Sequence, residues 1–174
     1  MPSLLLFLLF CQMLGAGVGI GWAIWSELAY LKAVRDGEIS SAERAHLGAV
    51  AKGLRWGMSL LLLSSVGVII VAYALHFPVQ PAQTEAFWIF MALALLVILL
   101  VWALSRKRVS FALGSAAALS AWWMIAYLAF DRLPVSFGSA VAFYVVLTAV
   151  LYAVLRLLRA LALSHTAPRH DSAR

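Results

Sequence analysis

Five blocks of mostly apolar residues, each about as long as a lipid bilayer is thick, follow one another along this chain. A helix needs about 20 apolar residues to cross roughly 30 Å of hydrocarbon, because it rises about 1.5 Å per residue. Lipid offers no hydrogen bonds to the backbone, so each block should be helical. We therefore predict an all-α, polytopic integral membrane bundle with five transmembrane helices. The predicted spans are residues 3–26, 56–77, 86–104, 109–130 and 136–158.

The composition excludes a soluble domain of this length. Hydrophobic residues make up 65% of the 174 residues and charged residues only 11%, whereas a soluble domain carries about 25% charged residues. The single cysteine, Cys11, excludes an intrachain disulfide and a multi-cysteine metal site. No Lys or Arg precedes the first block, which is too long for a signal-peptide core, so we expect it to be retained as a span. We predict one transmembrane domain over residues 1–160 and a polar tail over residues 161–174.

The placement of Lys and Arg predicts the orientation. Twelve of the 13 basic residues fall in the connection after span one, the connection after span three, or the C-terminal segment, and Arg132 alone falls on the other side. Basic residues mark the cytoplasmic side of a membrane protein. We therefore predict a multi-pass protein of the cell inner membrane with its N-terminus outside and its C-terminus in the cytoplasm. Basic residues between apolar blocks indicate topology, so nucleic acid is not a predicted partner.

The connection between spans one and two predicts a cytoplasmic helical hairpin over residues 27–55. Asp36-Gly37 is a turn signal, and Ser40 with Glu43 fits a capping box that begins a second helix. The charges on this hairpin are mixed in sign, which suits a protein partner better than anionic lipid. The candidate partner contacts are Arg35, Glu43 and Arg44.

Small residues predict which helices pack closely. Gly15 with Gly19, and Gly17 with Gly21, form two GxxxG pairs on span one, and such pairs let helices approach each other. Span three has no Gly, Ser or Thr between residues 86 and 104, so we expect it at the periphery facing lipid, with the other four spans at the centre. The predicted packing residues are Gly15, Gly17, Gly19, Gly21, Gly57, Ser64, Gly67 and Gly114.

A few side chains are candidates for an intramembrane polar or ligand site. Gln12 lies near the predicted midplane, where an uncompensated polar group is costly, so it should face the bundle. It could hydrogen-bond to a serine at position 64, 65 or 120, or it could bind a ligand or line a pore. Trp122 and Trp123 lie deeper than the interfacial aromatic belt. These tryptophans could pack against neighbouring helices, or their rings could stack on a bound quinone, carotenoid or haem.

The stretch from Cys11 to Gly15, followed by Gly19 and a Glu-x-x-Tyr hairpin, resembles small bacterial multihelix membrane proteins of the copper-resistance D-like and protoporphyrinogen-oxidase-like groups. The resemblance covers about 50 residues. Those proteins carry a membrane histidine three residues before the first glycine, where this chain has Gln12. The departure removes the residue that would bind haem or a metal, so the resemblance implies no function here.

The sequence favours a non-enzymatic subunit or accessory component of a membrane complex, which binds a membrane protein partner or a second copy of itself. The partner would contact the cytoplasmic hairpin or the glycine-rich helix face. The alternatives are a small transporter or channel, and a membrane redox protein that binds haem, quinone or another apolar cofactor. An enzyme is less favoured, because no paired carboxylates or nucleophile–base pair are recognisable. No metal and no cofactor are predicted.

Overall fold

The computed structural model describes residues 2–36, 41–77, 80–106, 108–130 and 136–164. Within these ranges the chain is helical and has no strand. Each of its long helices contains a segment of 20 to 30 residues that is long and apolar enough to cross a membrane. The prediction of an all-helical chain with five such helices is confirmed. The helices are α1 (Pro2–Asp36), α2 (Ser41–Ala74), α3 (Glu85–Ser105), α4 (Phe111–Phe130) and α5 (Phe137–Ser164), and a 3₁₀ turn at Pro81–Gln83 precedes α3.

The first two helices extend far beyond the apolar blocks. α1 has 35 residues and α2 has 34, so each is about 50 Å long at 1.5 Å per residue. This is well over the thickness of a bilayer core, and the added length lies at the ends that face each other across residues 37–40. The predicted turn residue Gly37 and the predicted capping residue Ser40 lie outside the described residues.

α2 ends at Ala74, three positions before the predicted end of span two, and a left-handed residue follows it. His76 has a φ of 53°. Its amide donates to the carbonyl of Tyr73, and the amide of Phe77 donates to the carbonyl of Ala72. These two bonds form a Schellman motif, which satisfies carbonyls at a helix end and which usually has glycine in the left-handed position. The helix stops here because the following amides are already bonded back to its last turn.

The starts of α3 and α5 are capped by side-chain oxygens. Thr84 accepts a hydrogen bond from the amide of Phe87, which satisfies one of the free donors of a helix N-terminus. At α5, Ser136 accepts from the amide of Ser139, and Glu85 accepts from the amide of Phe137 at 3.2 Å. The Glu85 carboxylate therefore joins the start of α3 to the start of α5.

α4 is the central helix of the bundle and packs against α1, α3 and α5. Most of its buried positions carry small side chains, which let neighbouring helices approach from several sides. α1 and α2 pack along each other as an antiparallel pair. The buried residues of α4 are Gly114, Ser115, Ala116, Ala117, Leu119, Ser120, Ala121, Trp122, Met124, Ile125 and Ala126.

α3 lies at the periphery, as expected, because it packs mainly against α4 and leaves Leu95, Leu99 and Val101 more than half exposed. The expectation that α5 belongs to the packed centre is wrong, and the inner face of α3 is more closely packed than α5. α3 buries Ile89, Phe90, Leu93, Ala94 and Val97, and its Leu104 packs against Gly114 of α4. Large residues of α3 fit against small residues of α4, so a helix without small residues of its own can still pack closely. α5 is the more exposed helix, since within residues 136–161 only its Ala140 and Leu155 are buried.

Candidate functional site

A cavity of about 1180 Å³ lies at the end of the bundle that holds the α2–α3 and α4–α5 connections. Four phenylalanines give it an aromatic wall, and its polar groups come from several elements. The cavity is open to the outside, since its lining residues Leu6, Phe10 and Phe130 are exposed. Its volume is somewhat above the range of about 300–1,000 Å³ that is common for ligand pockets. Its residues are Leu6, Leu9, Phe10, Gln12, Met13, Ser65, Val68, Pro81, Thr84, Glu85, Ala86, Phe87, Phe90, Leu128, Ala129, Phe130 and Ser136.

Gln12 lines this cavity but does not bond to the serines proposed for it. Ser64 and Ser65 both donate to the carbonyl of Leu61, and Ser120 donates to the carbonyl of Ala116. A serine that bonds three or four residues back along its own helix satisfies its hydroxyl proton without a partner on another helix. In the part of the chain that the structure describes, the Gln12 amide has no hydrogen bond.

The two tryptophans that the sequence singled out have different surroundings. Trp122 is 2% exposed, and its indole ring lies against the backbone of Gly19. Trp123, the next residue, points away from the core and is 47% exposed. Neither lines the cavity, so the structure does not combine them with Gln12 into one site.

The glycines of α1 divide into two pairs with different environments. A Cβ atom on Gly15 would lie 2.9 Å from the amide nitrogen of Leu61, and one on Gly57 would lie 3.1 Å from the carbonyl oxygen of Gly15. The backbones of α1 and α2 are thus in contact at this crossing. A Cβ atom on Gly17 or Gly21 would meet no atom within 4 Å in the described structure. The structure therefore brings Gly15 and Gly19 to helix contacts within the chain and leaves Gly17 and Gly21 on an open face.

The other predicted packing residues lie at helix contacts or within α2. A Cβ atom on Gly67 would lie 2.9 Å from the side chain of Leu8 on α1. Gly114 packs against Leu104. Ser64 is buried, and its hydroxyl bond stays within α2.

A buried polar cluster at the other end of the bundle was not predicted as a site. Arg159 of α5 donates to Glu27 of α1 at 2.8 Å and to Ser115 of α4 at 2.9 Å. Its guanidinium also lies 5.0 Å from the ring centre of Tyr30 and 5.3 Å from that of Phe111. The side chains of Arg159 and Glu27 are only 13% and 8% exposed. The cluster joins three helices, and both charges are neutralised by their pairing.

The sequence contains a signal for this cluster that counting charges by loop cannot show. Glu27 follows the first apolar block and Arg159 follows the last one, so opposite charges end two helices on the same predicted side. A count of charges by loop places both residues at the aqueous edge of the membrane. The position of a residue along a transmembrane helix predicts its depth in the membrane. Whether its side chain faces the bundle or the surroundings depends on tertiary packing.

The cavity and the cluster lie far apart. Gln12 and Glu27 are separated by about 22 Å along α1 at 1.5 Å per residue. Between them lie the Gly15–Gly57 crossing and the contact of Gly19 with Trp122. The described polar groups therefore form no continuous path from one end of the bundle to the other.

The predicted partner contacts Arg35, Glu43 and Arg44 lie on the helical backbones of α1 and α2, but their side chains are outside the described part. Among the residues whose side chains are described, no three of His, Cys, Asp and Glu lie close enough together to hold a metal ion. No protein-family model, curated protein or solved structure shows significant similarity to this chain.

Proposed function

We propose that this protein is a non-enzymatic component of a complex in the cell inner membrane, and that it binds a transmembrane helix of a partner through the open glycine face of α1. In this proposal all five helices cross the bilayer, the N-terminus is outside, and the C-terminus and the α1–α2 hairpin are cytoplasmic. The asymmetry of basic residues supports this orientation.

The ends of α3 agree with a helix that spans the bilayer. Trp88 donates to the carbonyl of Ala82 at one end, and the guanidinium of Arg108 lies 4.9 Å from the ring centre of Trp102 at the other. The two tryptophans are about 21 Å apart along the helix at 1.5 Å per residue. Tryptophans at both interfaces and basic residues beyond one of them are typical of a transmembrane helix.

The observation that carries the partner proposal is the open environment of Gly17 and Gly21. These two glycines lie on a stripe with exposed Leu14, Ile24 and Leu28, and the stripe recurs at spacings of three and four residues. Glycines flanked by larger apolar side chains leave a shallow groove on a helix, and a second transmembrane helix can pack closely in such a groove. The Gly15–Gly19 pair already has helices packed against it, whereas a Cβ atom at Gly17 or Gly21 would meet nothing within 4 Å in the described structure.

Site-specific photo-crosslinking in membranes tests the proposal. A photoreactive amino acid at Leu14 or Leu28 should yield a discrete crosslinked product, and Gly17→Leu or Gly21→Leu should abolish it because the leucine side chain keeps the helices apart. Gly138→Leu is the matched control, since a Cβ atom on Gly138 also meets nothing within 4 Å. A product of twice the monomer mass would identify the partner as a second copy. If no product forms, or if Gly17→Leu and Gly21→Leu leave it unchanged, the proposed interface is wrong.

A further inference from the structure

The cavity that contains Gln12 has properties of a binding site that packing alone does not require. It is large, it is built by α1, α2, α3 and α4 together, and its walls are mostly apolar. The Gln12 amide offers two N–H donors and one carbonyl acceptor. None of these groups is hydrogen-bonded within the described chain. Gln12 is partly buried and lines the cavity, so its amide is available to hydrogen-bond to a bound molecule.

The charges around the cavity restrict the chemistry of such a molecule. Among the described lining residues the single ionisable group is Glu85, an exposed carboxylate that accepts from the amide of Phe137 at the start of α5. No described Lys, Arg or His side chain lines the cavity. Among the described lining residues an anionic head group would meet the Glu85 carboxylate and no counter-charge, so these residues favour a neutral ligand. The polar side chains that α1 and α2 contribute to the lining are the Gln12 amide and the Ser65 hydroxyl, whose proton is already donated to Leu61.

We propose that the cavity binds an uncharged, membrane-soluble amphiphile whose carbonyl or hydroxyl oxygen hydrogen-bonds to the side-chain amide of Gln12. Its apolar skeleton lies against Phe10, Phe87 and Phe90. Prenylated quinones and neutral glycerides both present this chemistry, a neutral oxygen on an apolar skeleton. This site is independent of the proposed helix interface, because Gly17 and Gly21 do not line it.

Direct binding to the whole protein in phosphatidylcholine nanodiscs tests the inference. Ubiquinone-1 and 1,2-dioctanoylglycerol are titrated separately by calorimetry, and empty nanodiscs measure their partition into lipid. At least one of the two should bind saturably at one molecule per protein. Gln12→Leu keeps the apolar volume and removes the amide, so it should weaken binding about tenfold, the size expected when one hydrogen bond in an apolar site is lost.

Ala129→Trp fills the cavity from α4 and should abolish binding, whereas Thr148→Val, a polar deletion on α5 outside the cavity, should leave it unchanged. Binding of ubiquinone-1 alone would assign the site to quinones, and binding of dioctanoylglycerol alone would assign it to glycerides. Competition between them would show that the oxygen and not the ring is recognised. The inference is overturned if neither compound binds beyond lipid partition, or if Gln12→Leu binds as tightly as the wild type. Thermal unfolding of each variant shows that a loss of binding is not a loss of fold.

Discussion

Arg159 on α5 forms a 2.8 Å ion pair with Glu27 on α1, two residues that are 132 positions apart in the sequence. The contact fixes a helix that buries few of its own side chains. At the opposite end of α5, Glu85 accepts from the amide of Phe137, and in the middle Tyr144 donates to the carbonyl of Ala117 at 3.2 Å. These polar contacts add to the apolar packing of α5, in which Leu147, Leu151 and Tyr152 lie partly buried against the core.

We expect Arg159→Leu to destabilise the bundle strongly. The substitution leaves the Glu27 carboxylate buried without a partner, which costs about 3–5 kcal/mol when a buried ion pair is broken from one side. The double variant Glu27→Leu with Arg159→Leu should recover part of this loss because it removes both charges. Thermal unfolding in detergent measures the effect, and Arg156→Leu, an exposed arginine one turn earlier, is the control. Equal destabilisation by Arg156→Leu and Arg159→Leu would contradict the role of the pair.

We expect Gly19→Ala to lower stability and Gly17→Ala to leave it unchanged or slightly raised. A methyl group on Gly19 would overlap the indole ring of Trp122, and overpacking of this kind costs about 1–3 kcal/mol. Gly17 has open space around it, and alanine is the better helix former. Gly19→Ala combined with Trp122→Leu should be more stable than the sum of the two single changes predicts. Additive losses measured by thermal unfolding would show that the Gly19–Trp122 contact is not the cause.

The proposed orientation predicts opposite labelling at the two ends of α3. In a Cys11→Ser background, Gln83→Cys should react with a membrane-impermeant thiol reagent in intact cells, while Ser105→Cys should react only after the membrane is opened. Both positions are exposed in the structure, so a difference in labelling reports the side of the membrane. The reverse pattern would place the α1–α2 hairpin outside the cell.

Replacing His76 with glycine should raise stability. A non-glycine residue in the left-handed region carries a steric cost of about 1–2 kcal/mol, and part of it should be recovered because His76 is exposed and loses few contacts. His76→Val should lower stability, since a β-branched side chain tolerates this backbone poorly. The two melting temperatures should move in opposite directions from that of the wild type. A shift of the same sign for both variants would show that the backbone conformation at this position is not limiting.

Much of the fold can be predicted from the sequence, because the length of an apolar segment and the residues that end a helix are local properties of the chain. The predicted bounds of span three, residues 86–104, differ by one residue at each end from Glu85–Ser105. The packing partners are less local. α3 lacks small residues but packs closely because α4 supplies them, and this complementarity depends on which two faces meet.

The candidate site shows the same division. The sequence identified Gln12 as a polar group facing the interior, and the structure places it at a cavity. The serines expected to hydrogen-bond with Gln12 donate to carbonyls of their own helix instead. Which of the two bonds a serine makes depends on its side-chain rotamer, and the spacing of residues in the sequence does not predict the rotamer. The Glu27–Arg159 pair required knowledge that the first and last helices are neighbours, which hydropathy does not contain.

The crossing of α1 and α2 has a consequence for biosynthesis. The two helices that touch backbone to backbone at Gly15 and Gly57 leave the ribosome before α3, α4 and α5. Their contact needs no later residue, so the pair can close as soon as α2 has entered the membrane. The Trp122 ring then meets a glycine surface that is already formed when α4 is inserted, and Arg159, near the end of the last helix, joins Glu27 after the other helices have been synthesised.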